Sequence, residues 1–473
     1  MHVVDRLRFE VRCSSEEQAF EVRHNVVHSI QELAIRTIDE VCGAQVADDE
    51  WLQIDRIEVD LGELGAAFLE RAFAAVFRER LKNELLKQRG ERRPGIRSLS
   101  TQGARLALFA HLAEHGTLPW WAGGDAGDLD ALTEELSLRD PEQLRAFLYA
   151  RRDNGVIWRR LAFQLDAVAT LRIISLFEQL SAAHHMLVDR LTTALSKADA
   201  KPDMTATEPL KAAISKARSV LVYHAPDIFQ REARSTPAAK ALDEALRHGI
   251  AAASGRNVVL ARLVAPDTPE EALNAASSAA ALDFVRDPRW QRGGGVRNAD
   301  AAAASGEERH VVRHAGMVLV APFLPAFFAA CELLDGPRWR SKAAQYEAVH
   351  LLAYVCAGAP RLREHDLTLH KLCCGIAVEE PVPREVDLRA EHLAEARQLL
   401  ASVIEHWKAL KNTSIEGLRE TFLNRDGVIT RVADGDWVLR IERKTLDVLI
   451  GMVPWGYSVV AMPWNPYRIH VEW

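Results

Sequence analysis

The segment from Val453 to Trp473 constrains what this chain can fold into more than any other. It holds two Pro-Trp pairs, Pro454-Trp455 and Pro463-Trp464, and it closes on Glu472-Trp473. Chain ends fray unless something ties them down. Three large amphipathic rings at an end therefore imply a tail packed into its own domain or onto a partner. Upstream, Thr413-Ser-Ile-Glu416 has the form of a capping box opening a short helix through Phe422-Leu423. Val428–Val432 and Trp437–Ile441 alternate apolar and polar residues around Asp434-Gly435, a hairpin-turn signal. Tyr457–Ala461 and Arg468–Val471 suggest two further short strands. The chain is expected to end in a small Trp-rich β unit, 412–473, docked on helices. Trp407, Trp437, Trp455, Trp464 and Trp473 suit either its core or a binding surface, since tryptophan dominates interface hot spots.

The N-terminal region, 1–95, is expected to be a strand-helix-strand-helix α+β module. Leu7, Phe9 and Val11 alternate with charged residues, as do Ile57, Val59 and Leu61. Between them, Ser14 and Glu17 suggest a capping box, followed by Phe20, Val27, Ile30, Leu33 and Ile38 at helical spacing until Gly43. A second helix is expected over about 64–87. Residues 96–290 are expected to be a helical middle, with 171–195 an amphipathic helix and Asp140-Pro141-Glu142 a helix start with proline at the first position. Breaks are expected around Lys201-Pro202 and Thr236-Pro237. A flexible linker is expected at 291–309, followed by a helical region at 310–411. The fold class is thus mainly α, with small α+β modules at both ends.

Length and composition fit a soluble globular protein of two or three domains: 473 residues, 48% hydrophobic and 26% charged. A net charge of -7 argues against a generic nucleic-acid binder. The doublets Arg92-Arg93, Arg151-Arg152 and Arg159-Arg160 sit at helical spacing and are expected to be solvated helix faces. The opening residues alternate charge with apolar side chains and lack the apolar run of a secretory signal. Scattered cysteines without a CxxC suggest reduced thiols and a cytosolic protein. Ala315–Cys331 is uncharged, but Pro322 and Pro325 interrupt it, so a buried, broken core segment is expected instead of a membrane span.

Signals for chemistry are weak. His24 and His28 lie four apart on one expected helix face without HExxH context, and adjacent His184-His185 cannot readily share one ion. Cys356, His365, His370, Cys373 and Cys374 have zinc-like residue types without a zinc spacing, so buried thiols are the expectation. Gly293-Gly-Gly295 lacks the lysine and hydroxyl residue of a phosphate loop. No nucleophile has a persuasive histidine partner. No enzyme activity, cofactor or metal is expected.

Four blocks in order resemble the tape measure proteins of contractile injection systems, the phage-tail-like particles of the antifeeding prophage and Photorhabdus virulence cassette type. They are IDRIEVDLGEL (54–64), HAGMVLVAPFLPAFF (314–328), EAVHLLAYVCAG with LHKLCCGI (347–358 and 369–376), and TSIEGLRETFLNRDGVI onward to the terminal tryptophan. His314 stands where asparagine is common, and Cys373 where leucine is common. The resemblance covers the N-terminal module and nearly all of 310–473, and leaves about 95–290 unaligned. It implies an assembly protein, found in the bacterial cytoplasm and within the particle, that sets tube and sheath length. The implied partners are inner tube and baseplate or hub proteins, with a possible homo-oligomer, no nucleic acid and no membrane insertion. Its structural or interaction candidates are Asp55, Arg56, Asp60, Trp437, Pro454, Trp455, Pro463, Trp464, Glu472 and Trp473. Fully helical, such a chain would reach roughly 700 Å at ~1.5 Å per residue. Its prolines, glycines and missing heptads instead favour compact domains, so a ruler made from it must extend inside the tube or measure with only the unaligned middle. A globular chaperone or baseplate adaptor is the alternative, and a metal-dependent enzyme the second.

Overall fold

Amphipathic helices with strongly patterned faces need a partner surface, and this chain supplies it in two compact units. One comprises Met1–Leu108 with Trp120–Gly123, the other Phe109–Pro119 with Gly124–Trp473. The computed structural model describes residues 2–176 and 308–473, apart from 3, 5, 6, 14, 17–26, 47–49, 63–68, 92–95, 123–126 and 360. The Ser14/Glu17 cap, Phe20, His24, Arg92-Arg93, His184-His185, the breaks at 202 and 237, Gly293–Gly295 and most of the expected linker lie outside the described residues, as does most of the middle.

In the first unit, helices α1 (Val27–Gln45) and α2 (Leu69–Glu91) pack together. Ile30, Ala34 and Val41 of α1 meet Phe73, Phe77, Leu81 and Leu85 of α2, where spacings of four and seven put the side chains on one stripe. Gly43 does not stop α1, which continues to Gln45. The strand of this unit is β1 (Glu50–Ile54), and it pairs antiparallel with β2 (Ile96–Ser100). Residues 7–12 and 57–61, expected to be strands, carry no ladder. In the second run the alternation does mark burial, since Ile57, Val59 and Leu61 pack on the small core; in the first only Leu7 does, and Phe9 and Val11 are exposed. A period of two specifies which side chains face inward, but a ladder also needs a neighbour in register.

Helix α3 (Thr101–His115) precedes four short helices of the second unit: α4 (Leu129–Arg139), α5 (Pro141–Ala150), α6 (Gly155–Gln164) and α7 (Ala167–Ser175). Each start is legible. Asp128, Asn154 and Asp166 accept hydrogen bonds from backbone N–H groups of the first turn, and Pro141 occupies the first position after Asp140.

From Glu308 onward the described chain forms a body with one continuous apolar core, running from Val312 to Ile469. The Ala315–Cys331 stretch is buried and broken as expected. Short 3-10 turns at Ala315–Leu319 and Ala321–Phe323 lead into α8 (Leu324–Ala330), whose second residue is Pro325. His314 sits at φ 59, a left-handed position that suits asparagine and tolerates histidine better than most residues. Gly316 lies against the Phe422 carbonyl so closely that a Cβ there would overlap it. That contact explains why this motif carries glycine.

A five-stranded sheet closes the body. Its order is β3 (Arg309–Val312), β6 (Gly427–Arg431), β7 (Trp437–Ile441), β9 (Arg468–Glu472) and β8 (Val459–Ala461); a small hairpin, β4 (Leu334–Asp335) and β5 (Arg338–Trp339), stands apart. All pairings in the larger sheet are antiparallel except β7 with β9. The hairpin around Asp434-Gly435 and both later strands fall where the sequence places them. Val311, expected to begin a helix, lies in β3. The cap before Ile415 is Ser414, whose hydroxyl accepts from Gly417 N, while Thr413 bonds back to the Leu410 carbonyl. The helical layer beneath the sheet is α9 (Lys342–Ala357), α10 (Thr368–Cys373) and α11 (Ala390–His406).

Candidate functional site

The tail tryptophans serve the fold first. A helix leaves its last four carbonyls without intrahelical partners. At the end of α10, Asn465 Nδ2 and Tyr467 Oη both donate to the Leu372 carbonyl, and Trp464 Nε1 donates to that of Cys373, all within 2.8–2.9 Å. The second Pro-Trp pair is thus a C-terminal cap for the LHKLCC segment. The first pair does the same for the apolar turn, with Trp455 Nε1 donating to the Leu319 carbonyl at 2.9 Å. Trp473 Nε1 donates to Asp447 Oδ2 at 3.0 Å, and Asp447 Oδ1 accepts from the fully buried Arg425 at 2.7 Å. Trp437 is buried in β7, and Trp407 is completely buried. Pro454, Pro463 and Glu472 are exposed, and Glu472 pairs with Arg440 on β7.

Asp55, Arg56 and Asp60 lie exposed in the other compact unit. Asp60 Oδ1 accepts the Gly62 N–H at 2.9 Å, fixing a turn in which Gly62 takes φ 70. Arg56 pairs with Glu58. These residues therefore shape and solvate a turn.

What remains outward on the body is a run of apolar side chains. The 3-10 turns of Thr445–Met452 expose Leu446, Val448 and Met452, each more than half accessible, and Val459 on the edge strand β8 is half exposed. Clustered apolar exposure of this kind marks interaction sites. The sequence signal was the apolar run itself, overshadowed by the tryptophans beside it.

A second feature was missed outright. Arg160, expected on a solvated face, is buried: neighbours on a helix point about 100° apart, and here that turn carries Arg160 inward towards Glu364. Its Nε bonds to Glu364 Oε2 at 3.0 Å, its Nη1 donates to the Ala113 and Glu114 carbonyls at 2.7 Å, and its Nη2 to that of Glu379. Glu364 Oε1 also takes Lys371 Nζ at 3.0 Å. Burial pulls the Lys371 ammonium below its ordinary range, against the attraction of Glu364. Gly116, at φ 71, leaves room where a Cβ would come within 2.7 Å of Glu364. Half-buried pairs surround this node: Arg363 with Asp128 at 2.8 Å, and Arg384 with Asp130. A cavity of about 30 Å³ opens beside them, with room for little more than water. Burial also keeps nearby imidazoles neutral. His111 is driven down to about 4 by desolvation and then by His115, His310 and Arg160.

The suggested metal set does not assemble into a site. Among the described residues no group of three or more histidine, cysteine or acidic side chains could hold a metal. Cys356, Cys373 and Cys374 are free, buried thiols whose ionisation is pushed up by desolvation. Among the described residues no helix is long and apolar enough to cross a membrane.

Capped helix ends, neutral buried thiols and an exposed apolar strip describe a packed body with an outward apolar face. The sequence model of the contractile injection system tape measure proteins matches residues 1–473, and the chain belongs to that family. The family is a structural, non-catalytic one, and its members are components of an injection particle. No curated protein and no solved structure is significantly similar to the chain.

Proposed function

We propose that this protein sets the length of the inner tube and sheath while a contractile injection particle assembles, in company with tube and baseplate or hub proteins. Family membership over the whole chain carries this reading. The internally capped tail agrees with it, because a docking end must keep its shape while other parts adapt. Leu446, Val448 and Met452 are its natural contact with a particle protein. The working division is ends at 1–95 and 310–473, a measuring middle at 96–290 and a linker at 291–309.

Electron microscopy of particles from cells carrying in-frame deletions within 177–307 tests the reading, with mass spectrometry of the same particles to locate the chain. Particle length should fall in proportion to the residues removed. Unchanged length would refute it. A globular adaptor of the same system is the second reading, favoured by the compactness of the body; it expects the chain to be absent from purified particles and length to be indifferent to the deletions.

A further inference from the structure

Helix α7 ends at Ser175, and the described chain resumes at Glu308, in the same compact unit. Arg160 and Glu364 are 204 positions apart, yet bonded. A spacer whose two ends are pinned together cannot report the distance between them. Resting on the length-setting reading, we propose that the charged joint between residues 109–176 and 308–473 is a releasable clasp, closed in the free protein and opened when the chain extends along a growing tube.

The composition of the joint supports release. Among the described residues, none of 109–176 belongs to the apolar core that runs from Val312 to Ile469. The two sides meet instead through Arg160 with Glu364 and the Glu379 carbonyl, Gln164 Nε2 with the Val382 carbonyl, Arg384 N with the Phe163 carbonyl, and the pairs Arg363–Asp128 and Arg384–Asp130. One aromatic contact joins them, Phe163 edge-on to Tyr346 at 6.3 Å. Burying ions costs desolvation that their attraction only roughly offsets, so charges that part regain water, whereas a parted apolar seam gains nothing.

Each side also carries its own compensation. With the clasp open, Glu364 keeps Lys371 and Arg160 keeps the Ala113 and Glu114 carbonyls. Asp128 still caps α4, and Asp130 still accepts the Asp166 N–H. Neither half is left with a bare buried charge.

The test uses the full chain in two arms. In hydrogen exchange, amides of 157–164 and 380–384 should open at least tenfold faster than those of Leu351–Val355, and Glu364→Gln should widen that gap. Exchange in step, in both proteins, would overturn the clasp. In the second arm, Phe163→Cys with Arg384→Cys locks the joint by a disulfide, beside single-cysteine controls. Oxidised chain should give no particles of normal length, and reduction should restore them. Normal particles from oxidised, fully cross-linked chain would overturn the clasp while leaving length setting intact, since the deletion series tests that separately. Should the double variant make no particles in either state, the exchange arm decides.

Discussion

The body around Phe328 and the joint around Arg160 are both buried, yet by opposite means. In the body, aromatic rings fill space, Trp339 and Trp464 lying 4.8 Å apart and Phe328 and Trp464 5.6 Å, while Trp464 and Trp455 spend their single N–H groups on orphan carbonyls. In the joint, three charged side chains fill space and answer one another. Apolar burial is non-directional and cumulative, so it gives a region its stability. Buried ions add little net stability but tolerate few alternative geometries. One region is built to persist, and the other to be in one arrangement or apart.

The sharpest break with that comparison would come from Gly316. Alanine there drives a methyl into the Phe422 carbonyl, and the body cannot yield without moving backbone. A loss of about 4 kcal/mol or more is expected in urea unfolding followed by tryptophan fluorescence. A small loss would mean that the body is softer than its packing implies.

Next in size is Glu364→Gln, which leaves Arg160 and Lys371 buried without a carboxylate. Removing one partner from such a group costs on the order of 3 kcal/mol. Replacing Arg160, Glu364 and Lys371 together by methionine should recover most of that loss. Both follow from thermal unfolding of purified chain. If the triple replacement is no better than the single one, the node is a stabilising element and the contrast with the body fails.

Much of the fold was legible because its signals are local. The Asp434-Gly435 turn, the strands at 459–461 and 468–472, the Asp140-Pro141 start and the proline-broken apolar stretch each lie within a dozen residues. What escaped was non-local. β1 pairs with a strand about fifty positions on, β3 finds β6 across more than a hundred, and Arg160 finds Glu364 across 204. Nothing in the neighbourhood of Arg160 distinguishes it from Arg159 except the direction a helix gives it. The tail tryptophans were legible as packed but not as caps, since the carbonyls they serve belong to α10 and to the Ala315–Leu319 turn.

Acid should act on both regions, and His111 carries one part of the joint's share, beside His115 and His365. Its neighbours are His115 on its own helix and His310 and Arg160 from elements packed against it, all positive when charged. Above pH ~6.5 the ring is neutral in both folded and unfolded chains. Between that value and about 4 the unfolded chain binds a proton that the folded one refuses, so stability falls with falling pH and levels off below. His111→Gln should make the slope shallower by up to one proton across that window, measured by urea midpoints at successive pH. His370, deep in the body and also held neutral by burial, should keep its own contribution.

The smallest expected effect on stability separates architecture from docking at the tail. Glu472 is exposed on β9, and its partner Arg440 is exposed on β7. Pairs of this kind contribute ~1 kcal/mol or less, since water solvates both ends and salt screens them. Glu472→Ala should therefore leave the unfolding midpoint almost unchanged, whereas Trp473→Ala removes the donor to Asp447 and should loosen the tail around Arg425. Glu472 is a residue on which the family resemblance rests, yet the body does not need it to fold. Particle yield from Glu472→Ala cells then has a direct meaning. Lost assembly with unchanged stability assigns this carboxylate to a contact with a particle protein, and normal assembly returns the docking role to the apolar strip at Leu446, Val448 and Met452.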